Sequence, residues 1–201
     1  MTHTPRALVV TVTAALALVV AAAPALAQDR PPAAAAVTPA ARPSRLHLDV
    51  EIDPTAYVLR GYSLHVGIGW RRLRVDLGAY AMAMPEFMHG NPDFDVSFHG
   101  FGVKAQLFPL AEQRGLFVGI DTGLAMPLVQ RRETDLARSG LQVSVGAHIG
   151  WRFPIIAGLY VTPWIGVSYS FNAEDVTLAN RTYANNPVTV FPAVHIGYRF
   201  M

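Results

Sequence analysis

From Arg45 onward apolar and polar residues alternate with a period of two, the spacing of β-strands with two unlike faces. Tyr62, Leu64, Val66, Ile68 and Trp70 form one face of a strand, and Ser63, His65, Gly67 and Gly69 the other. Leu73–Ala81, Leu141–Phe153 and Val188–Phe200 alternate as cleanly. Leu46–Ile52, Phe101–Leu107, Leu116–Leu124 and Leu159–Phe171 follow the same rule. Phe94, Val96 and Phe98 sit on the opposite parity from Phe101, so a bulge near His99-Gly100 is needed to keep one face outward. The pattern predicts eight strands, most about 9 to 11 residues long, the length of a transmembrane strand. A helix over Phe153–Tyr169 is opposed by Pro154, Gly158 and Pro163.

The connections are a second, independent signal. Arg71-Arg72, Pro109–Gly115 and Pro154–Ala157 are short, whereas 83–93, 128–139 and 172–186 are long, and Asp53–Arg60 is intermediate. Alternating short turns and long loops are expected of antiparallel strands crossing a membrane, with the short turns in the periplasm.

The polar face separates a membrane barrel from a soluble one. It is crowded with glycine, including Gly67, Gly78, Gly119, Gly146 and Gly197, and it carries few charges. A water-facing exterior would carry many Lys and Glu. A narrow eight-stranded interior instead needs small side chains beside a few large ones. Asp49, Glu51, Asp76 and Asp121 face Arg74, Lys104, Arg152 and Arg199 in number, and His65, His148 and His195 share their face. These residues are expected to form an interior polar network with a structural role. The opposite face carries no charge within the strands, and its aromatic residues cluster at strand ends as interfacial girdles.

Composition agrees. Of 201 residues, 52% are apolar and only 15% charged, against about 25% charged in a soluble domain. There is no Cys, which excludes disulfides and thiolate sites. Fifteen of the sixteen basic residues are Arg. Residues 1–27 read as a signal peptide: Arg6, the apolar run Ala7–Ala23, then Ala25-Leu26-Ala27 before the expected cleavage. Cleavage leaves fifteen basic against fourteen acidic residues, a net charge of +1, which is no basic patch for nucleic acid. Residues 28–44 form an Ala/Pro-rich linker, and 45–201 the barrel.

With its signal peptide, eight alternating segments and last strand ending Val194, Ile196, Tyr198, Phe200, the chain resembles the small bacterial outer-membrane β-barrels of the OmpA-transmembrane and OmpW type. The resemblance implies an all-β, eight-stranded antiparallel barrel in the outer membrane, among outer-membrane lipids and lipopolysaccharide. It also implies that Tyr198 and Phe200 form the signal read by the barrel-assembly machinery.

No motif assigns chemistry. Ser63 with His65, or Ser144 with His148, could pair a nucleophile with a base, with Glu51 or Asp76 as the orienting carboxylate. The lipid A deacylase order His-x-Ser is absent. The His spacing matches no metal motif, so no metal, cofactor or catalytic site is expected. Met82, Met84, Phe87 and Met88 make an apolar cluster, and loop 172–186 reads as solvated surface. The expected role is structural or interaction-based, with loops 83–93, 128–139 and 172–186 as the surface for an extracellular partner. The alternatives are a narrow conduit for small apolar solutes and a lipid-modifying enzyme.

Overall fold

The computed structural model describes residues 46–110 and 113–200. The signal peptide and the linker lie outside them. Eleven strands follow in order: β1 (His47–Ile52), β2 (Tyr62–Trp70), β3 (Leu73–Met84), β4 (Phe94–Leu107), β5 (Gly115–Arg131), β6 (Ala137–Ser139), β7 (Gln142–Ile156), β8 (Leu159–Ser170), β9 (Val176–Leu178), β10 (Arg181–Tyr183) and β11 (Val188–Arg199). Two short helices, α1 (Pro54–Val58) and α2 (Glu86–His89), lie in the intermediate β1–β2 connection and the long β3–β4 connection.

Eight of the strands close on themselves. β1 to β5 pair in sequence, β5 pairs with β7, β7 with β8, β8 with β11, and β11 returns to β1, all antiparallel. Val50 faces Val66 on one side and Tyr198 on the other, which is where the ring shuts. Closure leaves no strand edge unpaired, the condition for a sheet in hydrocarbon. β6 extends the wall beside β5, and β9 and β10 form a separate hairpin.

Side-chain alternation is inverted relative to a soluble protein. In β2, Ser63 and His65 are buried while Leu64, Val66 and Ile68 are exposed. The same holds around the ring, and Ile120, Val145, Ile149, Val167 and Val194 all project outward. Along the apolar stretches Leu64–Ile68, Val75–Leu77, Phe101–Leu107, Val118–Ile120, Val143–Ile149 and Val190–Ile196, the outward positions carry no charge.

Glycine opens room for the large interior groups. Gly67 faces Asp49 and Asp76, Gly78 faces His65, Gly146 faces Asp121 and Gly197 faces Tyr160. In the two-residue turn Ala157-Gly158, both residues have positive φ (46° and 89°), as a hairpin of matching twist requires.

Two expectations are corrected. There is no bulge at His99-Gly100: β4 pairs in continuous register with β3 from Val96 to Leu107 and with β5 from Phe94 to Leu107. Phe94 and Val96 therefore point inward and are buried, while Asp95 points out. The parity change marks where the wall leaves the membrane, after which the inside becomes the apolar side. Loop 172–186 is not a plain solvated surface either. It carries the β9–β10 hairpin, whose Val176 and Tyr183 join Phe94, Val96 and Val129 in a hydrophobic core, flanked by Met84 and Leu178.

The glycine packing makes a prediction. A Cβ at residue 78 would run into the imidazole of His65, itself bonded to Asp76. Gly78→Ala should cost about 1–3 kcal/mol, the usual penalty for overpacking. Urea unfolding in detergent micelles reads it, and an unchanged midpoint would mean that the lumen has slack.

Candidate functional site in the barrel lumen

The lumen is filled at three levels. The middle is organised by Arg74, which reaches in from β3. Its Nε donates to Asp49 Oδ1 at 2.9 Å, its Nη2 to Asp49 Oδ1 at 2.5 Å and to Asp76 Oδ2 at 3.0 Å, and its Nη1 to Gln106 Oε1 at 3.1 Å. Glu51 Oε1 lies 3.3 Å from the same Nη2 and accepts from Arg152 Nη2 at 2.7 Å. Three histidines complete the layer through Nδ1, each 2.9 Å from a carboxylate: His65 to Asp76, His195 to Glu51 and His148 to Asp121. The rings of His65 and His195 lie 4.8 Å apart. The Lys104 ammonium stands 4.7 Å over the Trp164 ring. Arg74 is 1% exposed and Asp49 0%, so these charges are out of water and depend on one another.

The short-turn end is closed by the β4–β5 connection. Phe108 folds inward, its N–H donating to Arg72 O at 2.8 Å, and its ring lies 5.3 Å from that of Phe117. Gln113, with φ of 55°, places its Nε2 on Arg71 O and Leu73 O. Arg199 Nη2 donates to Gln113 O at 3.2 Å, so Arg199 sits at this end, apart from the carboxylate cluster.

The long-loop end is capped by the hairpin. Arg131 Nη1 donates to Leu178 O at 3.1 Å and Ala179 O at 2.6 Å, and Asn91 Nδ2 donates to Thr182 O at 3.3 Å. The Tyr183 ring meets Phe94 and His89 edge-on. Outside this cap Arg132 bridges Glu86 and Asp95. Of the methionine cluster, Met82 and Met84 turn into the mouth, while Phe87 remains 80% exposed.

The structure thus gathers Asp49, Glu51, His65, Arg74, Asp76, His195 and Arg152 into one cluster, with Asp121 and His148 joined through Gln106. Gln106, Gln113, Thr162 and Phe108 were not singled out in the sequence. Gln106 shares the inward parity of Lys104; Gln113 lies in a turn, where alternation carries no signal. The nucleophile pairs are not assembled. Ser63 Oγ accepts from the Asp53 N–H at 3.2 Å, and among the described residues no hydrogen bond joins Ser63 to His65. His148 turns to Asp121 and Gln106 instead of Ser144. Among the described residues, no group of three or more His, Cys, Asp or Glu is placed to hold a metal ion. Tyr198 and Phe200 both face outward, with rings 5.3 Å apart.

A closed ring of eight antiparallel strands, apolar outside and ion-paired inside, is the architecture of a small transmembrane β-barrel of the outer-membrane type. The fold is similar to that of a major outer membrane protein from Thermus thermophilus, with 13% identity over 78% of this chain and 100% of that one, at a TM-score of 0.51. The N-terminal β-barrel domain of Pseudomonas aeruginosa OprF (9% identity, 77% of this chain and 96% of that one, TM-score 0.42) also matches. So does Neisserial surface protein A (12% identity, 77% and 94%, TM-score 0.43). The sequence itself matches no protein-family model and no curated protein.

Two predictions test this geometry. Arg74→Met would leave Asp49, Glu51 and Asp76 without their shared cation, at a cost of about 3–5 kcal/mol. Urea unfolding of the refolded barrel measures it, and a wild-type midpoint would remove Arg74 from its central place. The second concerns His89, whose Nδ1 accepts from the Asn91 N–H at 3.3 Å. Burial, and then the Arg132 cation beside it, lower its pKa below the ordinary value. As pH falls below about 6.5 the unfolded segment takes the proton first, so the cap is fully stable above that pH and loses stability below it. Limited proteolysis of the β9–β10 hairpin should accelerate in mild acid and lose that dependence in His89→Asn. Equal rates at both pH values would exclude His89 as the cause.

Proposed function

We propose that the protein is a bacterial outer-membrane barrel with a structural or interaction role, sealed to solutes and without catalysis. The observation that carries this reading is the filling of the lumen at three successive levels: the plug made by Phe108 and Gln113, the Arg74-centred ion network and the apolar cap. Eight strands leave space mainly for side chains. Here that space holds an ion cluster whose members are each bonded to another wall of the barrel, so opening a path means breaking several buried ion pairs at once.

An interaction role is supported at the long-loop end. The cap is ordered by its own core and by Arg131, and it presents Phe87 and the charged Glu86–Arg132–Asp95 group on a stiff support. Loops 83–93, 128–139 and 172–186 are the proposed surface for an extracellular partner. Outward-facing Tyr198 and Phe200 are proposed as the contact for the barrel-assembly machinery. The narrow-conduit reading draws on Asp121, whose side chain is 24% exposed although it faces the lumen.

One experiment separates these readings. The full chain, untagged at its C-terminus, should fractionate with outer membranes and run differently on a gel before and after boiling. In planar bilayers it should give no discrete conductance, and deletion of the β9–β10 hairpin should leave it silent because the central network remains. Recovery in the soluble periplasm would defeat the membrane reading. Discrete openings in the intact chain would favour the conduit.

A further inference from the structure

We propose that the short-turn third of the lumen binds one small inorganic anion of the size of chloride, held by Arg152, Arg199, Tyr160 and Thr162. The reason is a concentration of buried donors that, among the described residues, no hydrogen-bond partner satisfies. Arg152 Nε and Nη1, Tyr160 Oη, Thr162 Oγ1 and Arg199 Nε are all buried atoms without a hydrogen-bond partner among the described residues. Arg152 and Thr162 are 1% exposed and Tyr160 is 3% exposed. A buried polar group left unpaired costs about 1–3 kcal/mol, so a cluster of them in one region calls for an occupant.

The ladder places these groups on one wall. Gly150 faces Trp164 and Phe153 faces Val161, a register that sets Arg152 beside Thr162 across β7 and β8. Tyr160, the next inward residue of β8, faces Gly197 of β11, and Arg199 follows two residues later on the same face. The Arg152 guanidinium lies 4.3 Å from the Tyr160 ring centroid, and the ring covers Gly197.

The sign of the occupant follows from the donor excess. Among the described residues, the unsatisfied atoms here include three guanidinium nitrogens, which can only donate, and two hydroxyls, beside the Gln113 Oε1 acceptor. The nearby carboxylates are already shared: Asp49 pairs with Arg74, and Glu51 with Arg74, His195 and the Nη2 of Arg152, which leaves Arg152 Nε and Nη1 free to bind an occupant. Asp49 Oδ2 comes no nearer to Arg152 Nη1 than 3.8 Å. Arg199 has only a neutral carbonyl, that of Gln113, as its hydrogen-bond acceptor, and no carboxylate within salt-bridge distance among the described residues. A water molecule would satisfy the donors, whereas an anion satisfies them and also offsets the positive charge that Arg152 and the partly buried Arg199 bring to one spot.

The test uses the full chain in detergent, crystallised with bromide replacing chloride. Anomalous density between Arg199 Nε and the Tyr160 hydroxyl is expected. Ordered water alone at that position, or bromide confined to the outer surface, would overturn the proposal. In parallel, Tm is followed as chloride replaces gluconate at constant ionic strength. The native chain should show a saturable rise of a few degrees, reduced in both Arg199→Gln and Thr162→Val. An equal response in the native chain and both variants would also overturn it.

Discussion

The structure depends on one guanidinium. Arg74 is almost wholly buried, and it draws together Asp49 and Glu51 of β1, Gln106 of β4 and Asp76 of its own strand. A charge in a medium of low dielectric costs several kcal/mol unless its partners are already in place. Those partners can be in place only if β1, β3 and β4 keep their register, so the network and the ladder fix each other. A slip of one residue would turn Asp49 or Asp76 into the hydrocarbon and bring Val50 or Val75 into the ion cluster. The penalty for either is large, which gives a barrel built mostly of small and β-branched residues a single arrangement.

The same constraint explains the glycines. A bulky guanidinium or imidazole lying across a narrow ring needs a neighbouring strand without a side chain. Gly67 lies under Arg74 and Asp49, Gly78 under His65, and Gly146 beside Asp121. Glycine is ordinarily a poor strand residue because it loses more conformational freedom than others and packs nothing. Here that loss is offset by the ion pairs that the vacated space admits.

Much of this was legible in the sequence because a strand writes its two environments in alternate letters. The eight strands, the inward face of Arg74 and Arg152, and the outward face of Leu64 or Ile149 follow from parity alone. What alternation does not encode is where a connection folds back. Gln113 plugs the short-turn end through bonds to Arg71 and Leu73, 42 and 40 residues away. Tyr183 seals the opposite end against Phe94, and the hairpin that carries it has strands of three residues. Such contacts depend on tertiary placement, and three-residue strands are too short to show a period. Histidine pairing was equally hidden: His65, His148 and His195 share a face, but only the register assigns each its own carboxylate.

The unbroken register of β4 has the same origin. The expectation of a bulge assumed that apolar residues face outward along the whole of β4. The strand is continuous, so the meaning of the two faces must change along it. At Phe101 the outward side is the apolar one, and at Phe94 it is the inward side. The change falls level with Ala81, which pairs with His99. From Leu73 to Ala81, at about 3.4 Å per residue and a tilt of about 40°, the wall rises about 21 Å. That is close to the apolar band of about 25 Å that such barrels present to lipid. The parity reversal is therefore the mark of the membrane boundary, and the Phe94–Tyr183 core lies above it, where an ordinary apolar interior is again the stable choice.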